Sequence, residues 1–225
     1  MALVSWLTRF PVNFILTVIP GLILIAFLWW RDVVREAKAG FHTAHVQRGI
    51  LIGFLLFLAS EIMLFFSFIW AYLHSSLAPA IEISAVWPPV GIESINPWTA
   101  PLIGTCLLLC SGLTITLSHH ALLKGDKFLT ILFLIFTIIL GIGFIAIQYT
   151  EYVYNCYTIA DSVYGTVFYM LTGLHGLHVI AGVTFLIVCL IRFFMDSFTS
   201  EHHLGYLFAI WYYHLVDVVW LIVYL

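Results

Sequence analysis

The sequence predicts an all-α fold, a polytopic bundle of six transmembrane helices, on three observations. The 225 residues are 63% hydrophobic and only 8% charged, with a mean hydropathy of +1.11, whereas a soluble domain is about 25% charged. Uncharged apolar stretches of about 20 residues recur, the length that crosses a hydrocarbon core of about 30 Å. Segments of about ten residues with alternating polarity, the mark of a membrane β-barrel, do not recur.

The predicted spans cover 11–30, 46–73, 98–123, 127–152, 162–193 and 203–225. Pro11 starts the first and Pro20 marks a kink in it, which a membrane helix tolerates when neighbours satisfy the freed carbonyl. Residues 1–45 form the first helix and a basic loop, and 46–225 a five-helix bundle. The connection 74–100 holds Pro79, Pro88, Pro89 and Pro97 with Trp87 and Trp98. So many fixed φ angles point to an ordered external loop. The opening MALVSWLTRF has neither the layout of a cleaved signal nor the Arg- and Ser-rich look of a transit peptide.

Basic residues sort by side. Arg31, Arg35, Lys38, Arg48, Lys124, Lys127 and Arg192 flank alternate connections, against Arg9 alone on the other side. The bias places both termini outside. A net charge of −3 without a basic tract excludes nucleic acid as a partner. Cys106, Cys110, Cys156 and Cys189 are scattered in apolar segments and form no disulfide framework.

Few residues in the spans can carry chemistry. Glu61, in SEIMLFFSFIWAYLHSSLAP, lies 13 residues beyond Arg48, about 20 Å along the helix at a rise of about 1.5 Å per residue. A carboxyl at that depth is expected to be protonated or paired with a polar group on another helix. Structural hydrogen bonding and a functional role both remain open for it. His214 and Asp217 in WYYHLVDVVW share a helix face at i, i+3. Asp217 lies at a depth like that of Glu61, so the three are candidates for one polar network.

His175 and His178 in TGLHGLHVIAG share a face, but metal sites usually need three or four ligands and no further pair has matching depth. Packing and hydrogen bonding are the expected roles. No two of the ten histidines are 13 or 14 positions apart, as axial haem ligands on one helix would be. His119–His120 and His202–His203 sit at the basic ends of helices, where water, lipid phosphate or helix carbonyls can serve them. No metal site is expected. Arg31, Arg35 and Lys38 in WWRDVVREAKAGFHT lie where a helix leaves the bilayer, suited to lipid phosphates, with Trp30 at the headgroup level. A generic basic anchor would look the same.

Taken in order, WWRDVVRE, SEIMLFFSFIWAYLHSSLAP, WPPVGIESINP, SHHALLKGD, IADSVYG, TGLHGLHVIAG, FTSEHHLGY and WYYHLVDVVW resemble the motifs of the cytochrome c oxidase subunit III family. The resemblance covers nearly the whole chain from Trp29 and looks mitochondrial. It implies a non-redox subunit in the mitochondrial inner membrane, with a bacterial plasma membrane as the alternative. Such a subunit binds no haem or copper itself. It docks on catalytic subunit I, which with other oxidase subunits carries haem a and copper. It supports proton uptake and holds phospholipids in a cleft. By resemblance, Glu61 is the carbodiimide-reactive membrane carboxyl, and Arg31, Arg35, Glu36, His42 and Arg192 lie near lipid headgroups. The family usually has seven spans, and only one precedes WWRD here. The leading helix is therefore expected to be absent, replaced, or supplied by a separate chain. Competing readings are subunit III of a quinol oxidase, an independent proton-coupled transporter using Glu61, and a standalone haem protein.

Overall fold

The structure is a computed structural model that describes residues 13–225. Arg9 and Pro11, used above for sidedness and for the first helix start, lie outside the described residues. Among the described residues six α-helices follow in order: α1 Asn13–Lys38, α2 Ala44–Leu77, α3 Ala100–Leu123, α4 Lys127–Tyr154, α5 Ser162–Phe194 and α6 Leu204–Tyr224. A single 3-10 turn, Ile81–Ile83, interrupts the long connection after α2. No strand occurs among the described residues. Helices α2 to α6 are each long and apolar enough to cross a membrane.

Most helix ends fall within a few residues of the predicted spans, and the differences have one cause. Hydrophobicity marks where a helix is inside lipid, while hydrogen bonding carries it further. Helix α2 runs for 34 residues, about 51 Å at about 1.5 Å per residue, well beyond the hydrocarbon core. Helix α1 continues past Trp30 through the charged stretch to Lys38 for the same reason.

Local chemistry sets the turns. Gly125 adopts φ +80 just past α3, and its N–H donates to Leu122 O at 2.9 Å. That left-handed residue suits glycine and closes the helix. Asp126 then caps α4, accepting from the Leu129 N–H at 3.0 Å. Pro101 sits in the first turn of α3, where no intrahelical N–H is needed. In the connection between α2 and α3, Trp87 packs edge-on to Tyr72 and against Tyr164, with ring centroids 5.7 and 5.4 Å away. Pro89 is buried.

The chain divides into two compact units, residues 1–53 and 54–225. The first holds α1 and the start of α2. In the second, α6 is the most enclosed helix: Tyr206, Ala209 and Tyr213 are wholly buried beside Leu108, Ile115, Leu134 and Leu186. Polar side chains stitch the helices together. Ser118 on α3 donates to Thr130 O of α4 at 2.7 Å and meets the Tyr206 hydroxyl of α6 at 2.6 Å. The Tyr213 hydroxyl donates to Ser111 Oγ at 3.0 Å, and Trp220 Nε1 to Thr105 Oγ1 at 2.9 Å. Lipid offers apolar side chains no hydrophobic incentive to associate, so such bonds and close small-residue packing hold a membrane bundle.

Candidate functional site

Glu61 meets an imidazole. Its Oε2 lies 2.6 Å from Nε2 of His178, which projects from α5. Both side chains are mostly enclosed, 16% and 14% exposed. The His178 ring has Phe65 against it edge-on at 4.8 Å and Tyr212 stacked at 6.2 Å. Two aromatic walls from α2 and α6 thus orient the pair.

The backbone decides which nitrogen holds which proton. Nδ1 of His178 is 2.8 Å from the carbonyl of Leu174. A carbonyl only accepts, so Nδ1 carries a hydrogen. Nε2 and Oε2 then share one further proton between them. Either a carboxylic acid donates to a neutral imidazole, or an imidazolium donates to a carboxylate. Both descriptions leave the pair neutral overall, which is how a carboxyl persists in a low-dielectric segment.

The expected network of Glu61 with His214 and Asp217 is not formed. Asp217 is 8% exposed and both of its carboxyl oxygens lack a hydrogen-bond partner among the described residues. His214 Nδ1 is 4.0 Å from Asp217 Oδ2, too far for a hydrogen bond. Both residues face Gly112 of α3, where an added Cβ would sit 3.0 Å from Asp217 Oδ2. His214 Nε2 approaches Thr116 Oγ1 at 3.4 Å. The correction has a geometric reason: equal depth is one coordinate, and the direction around each helix axis sends Glu61 and Asp217 to different neighbours.

His175, one turn before His178, turns elsewhere. It is fully buried, with Nε2 3.2 Å from Val216 O and its ring 5.0 Å from Trp220. Sequence reasoning weighed His178 only with His175 and missed it as the partner of Glu61. The signal was present, since His178 lies 14 residues before Arg192, about 21 Å from that end and so level with Glu61.

The other predicted residues form separate surfaces. At the end of α1, Arg31 Nε donates to Asp32 Oδ1 at 2.9 Å, and Arg35 Nη1 lies 3.7 Å from the same oxygen. His42 Nε2 lies 3.9 Å from Glu36 Oε2, and the His42 carbonyl accepts from Gln47 Nε2 at 2.9 Å. Trp30 is exposed just before them. In the larger unit, the Arg192 guanidinium lies 4.1 Å over the Phe198 ring, and its buried Nε has no hydrogen-bond partner. Gly205 leaves room for it, because an added Cβ there would lie 2.7 Å from Nη1. A half-buried cation resting on an aromatic face can receive an anion on its open side.

Helices of this length around a neutral, proton-sharing Glu–His pair define a polytopic membrane protein of the all-helical class. The profile of the family described as "Cytochrome c oxidase subunit III" matches residues 1–225, and the chain belongs to that family. It is 55% identical over 208 residues to cytochrome c oxidase subunit 3 of Allomyces macrogynus, covering 91% of this chain and 76% of that one. It is 50% identical over 225 residues to the Paracentrotus lividus protein of the same name, covering 100% of this chain and 86% of that one. For Drosophila yakuba the identity is 48% over 224 residues, with 99% and 86% covered. Cytochrome c oxidase is a respiratory enzyme complex, so a subunit of this kind has other oxidase subunits as partners.

Proposed function

We propose that the chain is a non-catalytic membrane subunit of cytochrome c oxidase in the mitochondrial inner membrane. It stabilises the catalytic subunit I, holds phospholipids and supports proton uptake during oxygen reduction. The family match across the whole chain, at about half identity to relatives of that name, carries the reading. Haem a and copper belong to partner subunits in this account. The polypeptide supplies an apolar scaffold, one paired proton-holding carboxyl in Glu61, and cationic anchors at Arg31, Arg35 and Arg192. The basic ends of the helices face the matrix and the termini the intermembrane space, as the charge bias directs.

Phospholipid binding follows from chemistry at two places. Arg31 and Arg35 stand at a helix exit beside Trp30, at the height where lipid phosphates lie. Arg192 offers guanidinium donors that no carboxylate within the larger unit takes up. Purification of the chain from its native membrane in mild detergent tests the reading. A large haem a–containing subunit should co-migrate with it. A particle without haem a, or a chain that migrates alone, overturns the assignment.

A further inference from the structure

We propose that the face shared by α3 and α6 around His214 is a docking surface for a transmembrane helix of another oxidase subunit, one that presents a hydrogen-bond donor to the imidazole. The inference rests on the reading of the chain as an oxidase subunit. His214 lies midway between the ends of α6, Leu204 and Tyr224. The 21 residues of that helix span about 31 Å at about 1.5 Å per residue, which matches a hydrocarbon core of about 30 Å. The His214 side chain at its middle is nevertheless 40% exposed. Ionisable side chains at that depth almost always face protein or a water-filled cavity.

Other polar side chains on the outer surface need nothing from outside. Ser60, Ser67 and Thr184 are exposed too, but each hydroxyl donates to a carbonyl of its own helix, at 2.6, 2.9 and 2.8 Å. His178 gives its Nδ1 hydrogen to Leu174 O in the same way. His214 Nδ1 makes no such bond among the described residues. Its neighbour Asp217 Oδ2 is 4.0 Å away, beyond hydrogen-bond reach.

The hydrogens fix what a partner must carry. The Thr116 hydroxyl donates to Gly112 O at 2.8 Å. Its oxygen is left to accept, so His214 Nε2, 3.4 Å from it, holds the ring hydrogen. Nδ1 of the neutral ring is then a bare lone pair. The Asp217 oxygens behind it are enclosed, so the imidazole is the part a partner reaches. An unfilled acceptor calls for a donor: a hydroxyl, an amide or an indole N–H. Lipid supplies none at this level, since acyl tails carry no donor and headgroups lie about 15 Å away, ten residues along the helix. The surroundings suit a helix. Gly112 keeps α3 and α6 close, because an added Cβ there would lie 3.0 Å from Asp217 Oδ2 and 3.8 Å from the His214 ring. Leu109 on α3 and Val218 on α6, 53% and 54% exposed, offer apolar flanks. One polar contact between close-packed apolar surfaces is how membrane helices pair.

The test uses the assembled oxidase, purified from its native membrane in mild detergent, and a lipid-soluble photoactivated diazirine that tags side chains facing the apolar phase. Leu109 and Val218 should be tagged several-fold less in the assembly than in the isolated full chain. His214→Leu should weaken the contact by about three- to twentyfold, the worth of one hydrogen bond between membrane helices, and tagging of both residues should rise. His214→Asn, whose amide oxygen takes the place of Nδ1, should keep them protected, and Ser67→Ala should change nothing. Electron cryo-microscopy of the wild-type assembly, which needs no variant to fold, should place a donor of another subunit about 2.7–3.2 Å from Nδ1. Equal tagging in assembly and isolated chain overturns the surface, as does His214→Leu behaving like wild type. A lipid tail, water alone or a second copy of this chain over His214 overturns it too. Haem a in the same preparation keeps the subunit reading standing when the surface fails, so the two failures are told apart.

Discussion

At the scale of single residues, the chemistry of this chain concentrates where a carboxyl and an imidazole remove each other's charge from the membrane. Glu61 and His178 share one proton, and the Leu174 carbonyl sets the tautomer that makes this possible. Removing only the imidazole strands the carboxyl. His178→Ala should therefore lower the thermal unfolding temperature in detergent. Adding Glu61→Gln should cost little more, because the stranded group is then gone. A double-mutant cycle by denaturant unfolding should return a coupling of about 1.5–3 kcal/mol, the range for hydrogen bonds to charged groups. A coupling near zero would mean the two side chains do not depend on one another. Glu61→Gln should also leave the protein assembled while abolishing carbodiimide labelling; persistent labelling would assign the reactive carboxyl elsewhere.

At the scale of elements, close approach and capping set how the helices meet. Gly141 on α4 admits Val183 and Tyr213, since a Cβ there would sit 2.7 Å from Val183 Cγ2 and 2.9 Å from the Tyr213 hydroxyl. Gly141→Ala should destabilise the bundle by roughly 1–3 kcal/mol, the usual range for overpacking. Val183→Ala in the same chain should restore part of the loss, measured by unfolding in detergent. The connection into α5 answers to pH instead. Asp161 accepts from the Thr158 N–H at 2.6 Å and from its hydroxyl at 2.9 Å. These bonds, the backbone one first, hold the Asp161 carboxyl below its ordinary value of 3.8. A depressed carboxylate stabilises the fold above its unfolded value and loses that contribution as pH falls through the folded one. Amide exchange at Thr158 should accordingly be slowed at neutral pH and lose its protection only in strong acid. In Asp161→Asn the protection should be weaker and insensitive to pH.

At the scale of the whole molecule, the prediction concerns lipid. Arg31→Ala combined with Arg35→Ala should release bound phospholipid from the purified assembly. Unchanged lipid content by mass spectrometry would remove the headgroup role from the end of α1. How much could be read in advance follows the same physics. Periodic absence of charge located the helices, because lipid penalises a bare backbone polar group or a charge wherever it occurs along the chain. The depth of Glu61 and its need for a partner were legible too, since both follow from counting residues from a basic end. The identity of the partner was not. Counting places His178 and Asp217 equally well, and only rotation of the helices about their axes separates them. The approach of His119 Nε2 on α3 to His203 Nε2 before α6, at 3.3 Å, was hidden for a related reason, because chain separation says nothing about which helix ends converge. By itself, then, the sequence determined an all-helical membrane subunit and the levels at which its polar residues lie, through the free-energy cost of polarity in hydrocarbon. The tertiary structure alone decided which of those residues touch, because azimuth and helix pairing arise from packing between helices and leave no periodic trace along any one of them.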